Sequence, residues 1–280
     1  MCVGTLAQAA DDVPKSLLAD KPATKGATDV ATEGFEKTDL NKEAQDATEL
    51  QLSAGALSST GNARMLSLTG SGRFRVRRDA DQFSLAIAGN EARSAPAPGQ
   101  PVQTTLQNIQ GKARYDRFLG SGFAVFGSVS GRNDKFQGLI LRENLDPGLA
   151  YYFVDQKTLQ LWIEAGYDYQ HDLRRQDTIN AAALKGTVID KTDTRHSMRL
   201  FAGFSGALSD TASLSSGLEY LQGLADTRFW RMNWDSALSS SISSRFSLAA
   251  TFTVRYDHAP LSGVQTTDTI TAANLVYTLL

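Results

Sequence analysis

Apolar and polar side chains alternate along residues 159–169, which read Leu-Gln-Leu-Trp-Ile-Glu-Ala-Gly-Tyr-Asp-Tyr. Every odd-numbered position in this stretch is apolar or aromatic, whereas Gln160, Glu164 and Asp168 stand between them. A period of two residues is that of a β-strand, whose successive side chains point to opposite faces. The stretch therefore predicts a strand with one apolar face and one charged face.

The same alternation continues from about residue 48 to the end of the chain. Turn signals divide this part into about twelve strands, near 48–59, 62–77, 81–92, 101–117, 121–133, 136–153, 157–171, 193–207, 211–224, 227–241, 244–258 and 266–279. In the strands with the most regular alternation, the apolar face carries no charged residue. A Lys or Arg facing lipid costs about 2–4 kcal/mol at the bilayer midplane, so a membrane would enforce this segregation.

The connections between these strands are of two kinds. If the N-terminus is periplasmic, the short connections at 78–80, 120–121, 154–156, 209–210 and 242–243 are all periplasmic. The longer ones at 93–100, 172–191 and 259–268 are then all external. Short periplasmic turns and long external loops are typical of bacterial outer-membrane barrels. We therefore predict an all-β fold, a transmembrane up-and-down antiparallel β-barrel of about 12 strands over residues 48–280.

Aromatic residues of the apolar faces fall into two bands under this topology. Such bands mark the two membrane–water interfaces of a barrel. The external band is expected to contain Tyr167, Tyr169, Tyr220, Trp230 and Tyr256. The periplasmic band is expected to contain Phe74, Phe83, Tyr115, Tyr151, Phe153 and Tyr277.

Charged residues of the opposite faces are expected to line the lumen. They are Arg73, Arg75, Arg114, Asp116, Arg142, Glu164, Asp168, Arg199, Glu219, Arg231, Asp235 and Arg255. Mixed signs favour mutual ion pairs, which would narrow or close a barrel of this size. The alternative is a ladder of Arg114, Arg142, Arg199 and Arg231 that selects small anions. A tight loop centred on Ala225 would place Glu219 opposite Arg231.

Residues 1–47 differ in composition from the barrel. Ala7 and Ala9 have the spacing of a signal-peptidase site, so residues 1–9 are interpreted as the remnant of a signal peptide, with an ordinary flexible N-terminus as the alternative. Residues 10–47 are rich in Asp, Glu, Lys, Ala and Thr, and Phe35 is their only aromatic residue. A segment so poor in apolar side chains predicts a disordered periplasmic leader.

Composition excludes several classes of protein. The 28 Lys and Arg against 30 Asp and Glu give a net charge of −2, without the cationic excess that nucleic acid binding requires. A single Cys and three His residues exclude an internal disulfide and a thiolate zinc site. No stretch approaches the roughly 18 apolar residues of a spanning helix. We expect no cofactor, no metal and no nucleic acid partner.

Three histidines, His171, His196 and His258, fall at the external rim of the predicted barrel. They are interpreted as solvated rim residues, with a transition-metal site as the alternative. A lipid hydrolase at this rim is a second alternative, but adjacent His196 and Ser197 point to opposite faces and cannot act as base and nucleophile. The sequence also has no G-x-S-x-G motif. A soluble barrel with its apolar face inside is a third alternative.

Several short segments resemble one known family. They are Ser-Thr-Gly-Asn at 59–62, Tyr-Asp-Arg-Phe at 115–118, Arg-Asn-Asp-Lys-Phe at 132–136, Gly-Leu-Ala-Tyr at 148–151, Glu-Ala-Gly-Tyr at 164–167 and Leu-Val-Tyr at 275–277. Together they resemble the salt-induced outer-membrane proteins of domain of unknown function 481, over residues 50–279. The resemblance implies an outer-membrane barrel with no established activity.

The expected function is therefore that of a cell-envelope protein, structural or a narrow solute channel, with no catalytic residues. Its expected location is the outer membrane of a Gram-negative-type bacterium, reached by export through the periplasm. The expected partners are outer-membrane lipids and, during biogenesis, the barrel-assembly machinery. We expect the barrel to be a monomer.

Overall fold

The computed structural model describes residues 48–278 except 60–64, 96–100, 136–137, 157, 185, 187 and 260–265. The predicted signal-peptide remnant at 1–9 and the predicted leader at 10–47 lie outside the described residues.

The described residues form twelve strands and one short helix. The strands are β1 (Thr48–Ser59), β2 (Met65–Arg78), β3 (Asp81–Ser94), β4 (Gln103–Gly120), β5 (Phe123–Asp134), β6 (Leu139–Gln156), β7 (Leu159–Arg174), β8 (Thr192–Ala207), β9 (Ala212–Gly223), β10 (Trp230–Ser241), β11 (Phe246–Asp257) and β12 (Thr267–Thr278). The predicted strand bounds agree with these to within three residues.

Each strand pairs antiparallel with its neighbours in the chain, and β1 pairs with β12, so the sheet is a closed up-and-down barrel. The predicted fold is confirmed. One end, here called the short-turn end, carries the connections at 79–80, 121–122, 157–158, 208–211 and 242–245. The opposite end, here called the loop end, carries those at 60–64, 95–102, 135–138, 175–191, 224–229 and 258–266. An even number of strands brings both ends of the barrel sequence to the short-turn end.

Tight turns at the short-turn end depend on left-handed backbone conformations. Asp79 has a φ of 49°, and Gly120 and Gly122 have φ values of 90° and 83°. Glycine adopts such angles without steric cost. A side chain at Gly122 would also meet the carbonyl oxygen of Tyr152 at 2.8 Å. These turns are therefore fixed by local sequence.

The closure between β1 and β12 is much shorter than the other pairings. Among the described residues, which end at 278, it joins Gln51–Ala54 to Leu275–Thr278. Strand β1 pairs with β2 along its whole length from Thr48 to Ser59. Strand β12 pairs with β11 from Thr267 to Tyr277. Both strands thus continue toward the loop end beyond the residues that join them.

The segment at 172–191 was predicted to be a loop, and this is wrong in part. Strand β7 continues to Arg174, and a helix, α1, spans Gln176–Leu184. The helix has an acidic residue in its first turn, where Asp177 accepts a hydrogen bond from the Thr178 amide at 2.8 Å. Three consecutive alanines, the strongest helix formers, follow at 181–183. No helix among the described residues is long and apolar enough to cross a bilayer.

Apolar side chains point outward from the barrel and charged side chains point inward. Leu161, Phe252 and Leu275 are 36%, 38% and 48% exposed. Glu164 and Arg231, by contrast, are only 2% and 4% exposed. The alternative of a soluble barrel with its apolar face inside is therefore wrong. An apolar exterior around a polar interior is the distribution that a bilayer requires.

An aromatic cluster occupies the interior beside β4–β8 near the short-turn end, where the sequence analysis named no aromatic residues. Its rings are Phe118, Phe126, Tyr152, Trp162 and Phe201, packed with Ala124 and Ala150. Tyr152 stacks on Trp162 with ring centroids 6.1 Å apart, and Phe201 lies 6.0 Å from Trp162. The lumen is therefore occupied by rings at this end.

Gly203 makes room for this cluster. It lies opposite Trp162 in the register of β7 and β8, and a Cβ there would come within 2.2 Å of the indole ring. We expect Gly203→Ala to lower the free energy of unfolding by about 1–3 kcal/mol, because overpacking forces the ring to move. Gly127→Ala is the matched control, since nothing lies within 4 Å of its Cβ position. Urea unfolding in lipid vesicles measures both, and equal effects would contradict the expectation.

Candidate functional site: the charged lumen

Period-two spacing on every strand brings charged residues to the inside of the barrel. Among the described residues, ten Lys or Arg and nine Asp or Glu are buried. This set includes each residue predicted to line the lumen: Arg73, Arg75, Arg114, Asp116, Arg142, Glu164, Asp168, Arg199, Glu219, Arg231, Asp235 and Arg255. The interior is therefore close to neutral. A buried charge is tolerated when a partner compensates it, so the partners decide what this lumen can do.

Glu164 lies at the centre of the lumen between two arginines. Its carboxylate pairs with Arg114 Nη2 at 2.9 Å and with Arg199 Nη1 at 2.7 Å. Arg114 comes from β4 and Glu164 from β7, which are separated by two strands of the sheet. This contact therefore crosses part of the lumen, over the two intervening strands.

The network continues on both sides of Glu164. Arg114 Nη2 donates to Asp116 Oδ1 at 2.8 Å. Arg199 Nε donates to Glu219 Oε1 at 2.7 Å, and Asn233 Nδ2 donates to Glu219 Oε2 at 2.8 Å. One connected chain of hydrogen bonds thus joins β4, β7, β8, β9 and β10. Its members compensate one another.

Glu219 does not face Arg231, contrary to the prediction. The register of β9 and β10 places Glu219 opposite Asn233 and Arg231 opposite Leu221. The reason is the loop at 224–229, which the sequence analysis took to be tighter than it is. The Gly223 amide donates to the Phe229 carbonyl at 2.7 Å, and the strands resume with Gln222 opposite Trp230. Arg231 is thereby two residues out of the predicted register.

Phe126 joins the ionic network to the aromatic cluster. The Arg114 guanidinium carbon lies 4.0 Å from the centroid of the Phe126 ring. Arg199 lies 5.8 Å from the same centroid and 5.4 Å from that of Phe201. A cation over an aromatic face gains electrostatic stabilisation, most of all when it is desolvated. Rings and ion pairs therefore close the middle of the lumen together.

Other inward charges are paired in smaller groups. Arg142 holds Asp172 through two hydrogen bonds of 2.6 Å. Arg255 pairs with Asp235 at 2.8 Å, and Thr253 donates to the same carboxylate. Further pairs are Arg132 with Asp134, Arg75 with Glu49, and Asn144 with Asp168. Arg73 is buried beside them on β2.

Three of the four arginines in the alternative anion-selective ladder form ion pairs with carboxylates. Arg114, Arg142 and Arg199 each hold at least one Asp or Glu. Arg231 instead donates Nη2 to the amide oxygen of Gln170 at 2.9 Å. The structure therefore does not present four arginines that are open to a passing anion. Sequence reasoning missed Gln170 and Asp172, although both stand at inward positions of β7.

The aromatic residues predicted for the two bands lie on the outer face. At the loop end, Trp230 contacts Tyr220 and Tyr256 with centroid distances of 5.9 and 4.8 Å. Tyr167 and Tyr169 flank His196 there. At the short-turn end, Tyr151 packs between Phe123 and Phe153, and Tyr277 packs on Phe246. Tyr115 at the same end donates a hydrogen bond to Asp81 at 2.5 Å.

The three histidines belong to the outer surface of the loop end rather than to a common site. His258 stacks on Trp230 at 4.9 Å, and His196 hydrogen-bonds to Tyr167. His171 bonds to Thr194 at 2.9 Å. The part of the chain that the structure describes contains no group of three potential metal ligands. His196 is exposed whereas Ser197 is buried, so this pair points to opposite faces.

Comparison with known proteins identifies one matching family. The family profile described as "Protein of unknown function, DUF481" matches residues 52–279. No curated protein matches the chain.

Three solved structures have a backbone similar to that of this chain, at low sequence identity. NanC porin is 12% identical, with a TM-score of 0.49, 83% of this chain covered and 100% of that one. An outer membrane channel from Pseudomonas putida F1 is 9% identical, with a TM-score of 0.47 and coverage of 86% and 100%. KdgM porin is 11% identical, with a TM-score of 0.43 and coverage of 84% and 100%.

Proposed function

This chain belongs to the family described as protein of unknown function, DUF481, and we propose that it is an outer-membrane barrel of the cell envelope whose lumen is closed by its own side chains. Its role is structural, and we assign it no catalytic activity. The short-turn end faces the periplasm, through which the chain is exported. The loop end faces the exterior of a Gram-negative-type cell. The barrel acts as a monomer among outer-membrane lipids and is inserted by the barrel-assembly machinery.

The closed lumen is the observation that carries this proposal. The network that runs from Arg114 through Glu164, Arg199 and Glu219 to Asn233 crosses the lumen from β4 to β10, and the side chains of its Arg114–Glu164 and Glu164–Arg199 ion pairs are 0–2% exposed. Below it the aromatic cluster fills the space toward the short-turn end. A channel that conducts ions must offer them a hydrated path with sites that they can leave again. Side chains that pair and stack across the lumen do not offer such a path.

Planar-bilayer recording tests the closed lumen directly. We expect the wild-type protein to produce no single-channel steps after insertion, because the ionic and aromatic layers exclude water. The double variant Phe126→Ala with Trp162→Ala removes two rings from these layers. It is expected to produce measurable steps.

The matched control removes two rings from the outer face of the same end. Phe123 and Phe153 are 50% and 59% exposed, so the double variant Phe123→Ala with Phe153→Ala leaves the lumen unchanged. It should remain silent. A heat-dependent mobility shift on a detergent gel establishes folding of each protein beforehand. Steady conductance of the wild-type protein would overturn the closed-lumen proposal and favour a narrow solute channel.

A further inference from the structure

Arg231 differs from the other three arginines of the predicted ladder. It is 4% exposed, and its Nη2 donates to Gln170 Oε1 at 2.9 Å. Asp257 lies opposite Arg231 in the register of β10 and β11, yet the two form no ion pair. Within the described ranges, Arg231 Nη1 is a buried nitrogen with no hydrogen-bond partner. A buried guanidinium nitrogen without a hydrogen-bond partner is costly, because it has left water without a replacement for its bonds to water.

The surroundings of Arg231 hold more cations than carboxylates. Asp172 lies close enough to three arginines, Arg142, Arg195 and Arg231, that all of them act on it electrostatically. Both oxygens of Asp172 already accept hydrogen bonds from Arg142. Gln170 Nε2 donates to the same carboxylate at 3.1 Å, and Arg231 is not among its hydrogen-bond donors.

The next carboxylate toward the exterior is shared in the same way. Asp193 pairs with Arg174 at 2.8 Å and with Arg195 at 3.0 Å. With Asp257, which lies opposite Arg231, three aspartates thus stand among four arginines at the loop end of the lumen. An excess of guanidinium groups favours the binding of an anion.

Two members of this group are partly exposed at the loop end. Arg195 and Asp193 are each 27% exposed and stand at the entrance. Arg231 is the second residue of β10, which begins at the loop end with Trp230. The Glu164 network and the aromatic cluster close the lumen on the other side. A solute that enters from outside would therefore meet these arginines and go no further.

We propose that Arg231 is the main ligand of a small-oxyanion site at the loop end of the lumen. The ligand class is a compact oxyanion of the phosphate type, whose adjacent oxygens match the two donors of a guanidinium group. Arg195 contributes charge at the entrance, and Gln170 holds the Arg231 side chain in place. This site goes beyond the structural role proposed above and does not require the lumen to conduct.

Equilibrium dialysis of the folded protein in detergent against radiolabelled inorganic phosphate tests the site. We expect saturable binding to the wild-type barrel and at least a tenfold weaker affinity for Arg231→Gln. Arg231→Lys keeps the charge but loses the planar pair of donors, so its affinity should be intermediate.

Arg228→Gln is the matched control. Arg228 also lies at the loop end, but it is exposed and pairs with Asp226 at 2.7 Å. Hydrogen bonds from Arg228 lower the pKa of Asp226 to about 2, so this pair is intact at neutral pH. Arg228→Gln should bind phosphate as the wild type does. Equal losses in Arg228→Gln and Arg231→Gln, or no saturable binding to the wild type, would overturn the proposal.

A second measurement covers the case in which Arg231→Gln does not fold. Phosphate should raise the temperature at which the wild-type band shifts on a detergent gel, relative to chloride at equal ionic strength. Arg231→Lys should show a smaller rise. An identical temperature in both salts would contradict the site. Because these readouts do not involve conductance, their failure is distinct from failure of the closed-lumen proposal.

Discussion

Glu164→Gln is expected to lower the free energy of unfolding by about 3–5 kcal/mol, because it leaves two buried arginines without their shared counter-charge. Glu164 pairs with both Arg114 and Arg199, and its own side chain is fully buried. The amide is nearly isosteric with the carboxylate. The loss would therefore report charge rather than packing.

Urea unfolding of the barrel in lipid vesicles measures this loss. Asp81→Asn is the control, since Asp81 pairs with Arg117 where both side chains are well exposed. Exposed pairs are screened by water and salt, so this change should have little effect. A Glu164→Gln protein as stable as the wild type would show that the lumen network does not hold the barrel closed.

Leu200→Arg is expected to destabilise the membrane-inserted barrel by about 2–4 kcal/mol, because it places a charge against acyl chains. Leu200 is 40% exposed in the middle of β8, between His196 at the loop end and Phe204 nearer the short-turn end. In a protein surrounded by water, a charged side chain at such an exposed position would hardly change the free energy of unfolding. The experiment thus distinguishes lipid from water outside the barrel.

The control for this change lies beyond the strands. Leu224 is 57% exposed in the connection at 224–229, which is outside the sheet. Leu224→Arg should change the free energy of unfolding by no more than about 0.5 kcal/mol. If both arginines are tolerated equally in vesicles, the outer face of β8 does not contact the hydrocarbon core.

Strand number and the direction of each face could be predicted because both follow from local alternation. The odd positions of 159–169 point outward and Glu164 points inward, as the period of two requires. The register of β9 and β10 could not be predicted in the same way. It depends on the conformation of the loop at 224–229, and a shift of two residues keeps every side chain on its face.

The contents of the lumen were predicted only in part. The charged residues at inward-facing positions were evident from the sequence. Trp162 and Phe126 also stand at inward-facing positions, and they form a cluster that alternation alone does not reveal. Pair partners were also out of reach. Arg114 and Glu164 are 50 residues apart and meet across the barrel, which depends on its curvature and strand tilt.

The short closure between β1 and β12, four residue pairs within the described part of the chain, has a mechanical consequence. A barrel is a closed sheet, and its resistance to opening is limited by the pair of strands that is joined by the fewest backbone hydrogen bonds. Here that junction joins Gln51–Ala54 to Leu275–Thr278, while β1 and β2 are joined from Thr48 to Ser59. On heating or under mechanical force, β1 and β12 should therefore separate first. The barrel would then open into a curved sheet in which the other strand pairs are still intact.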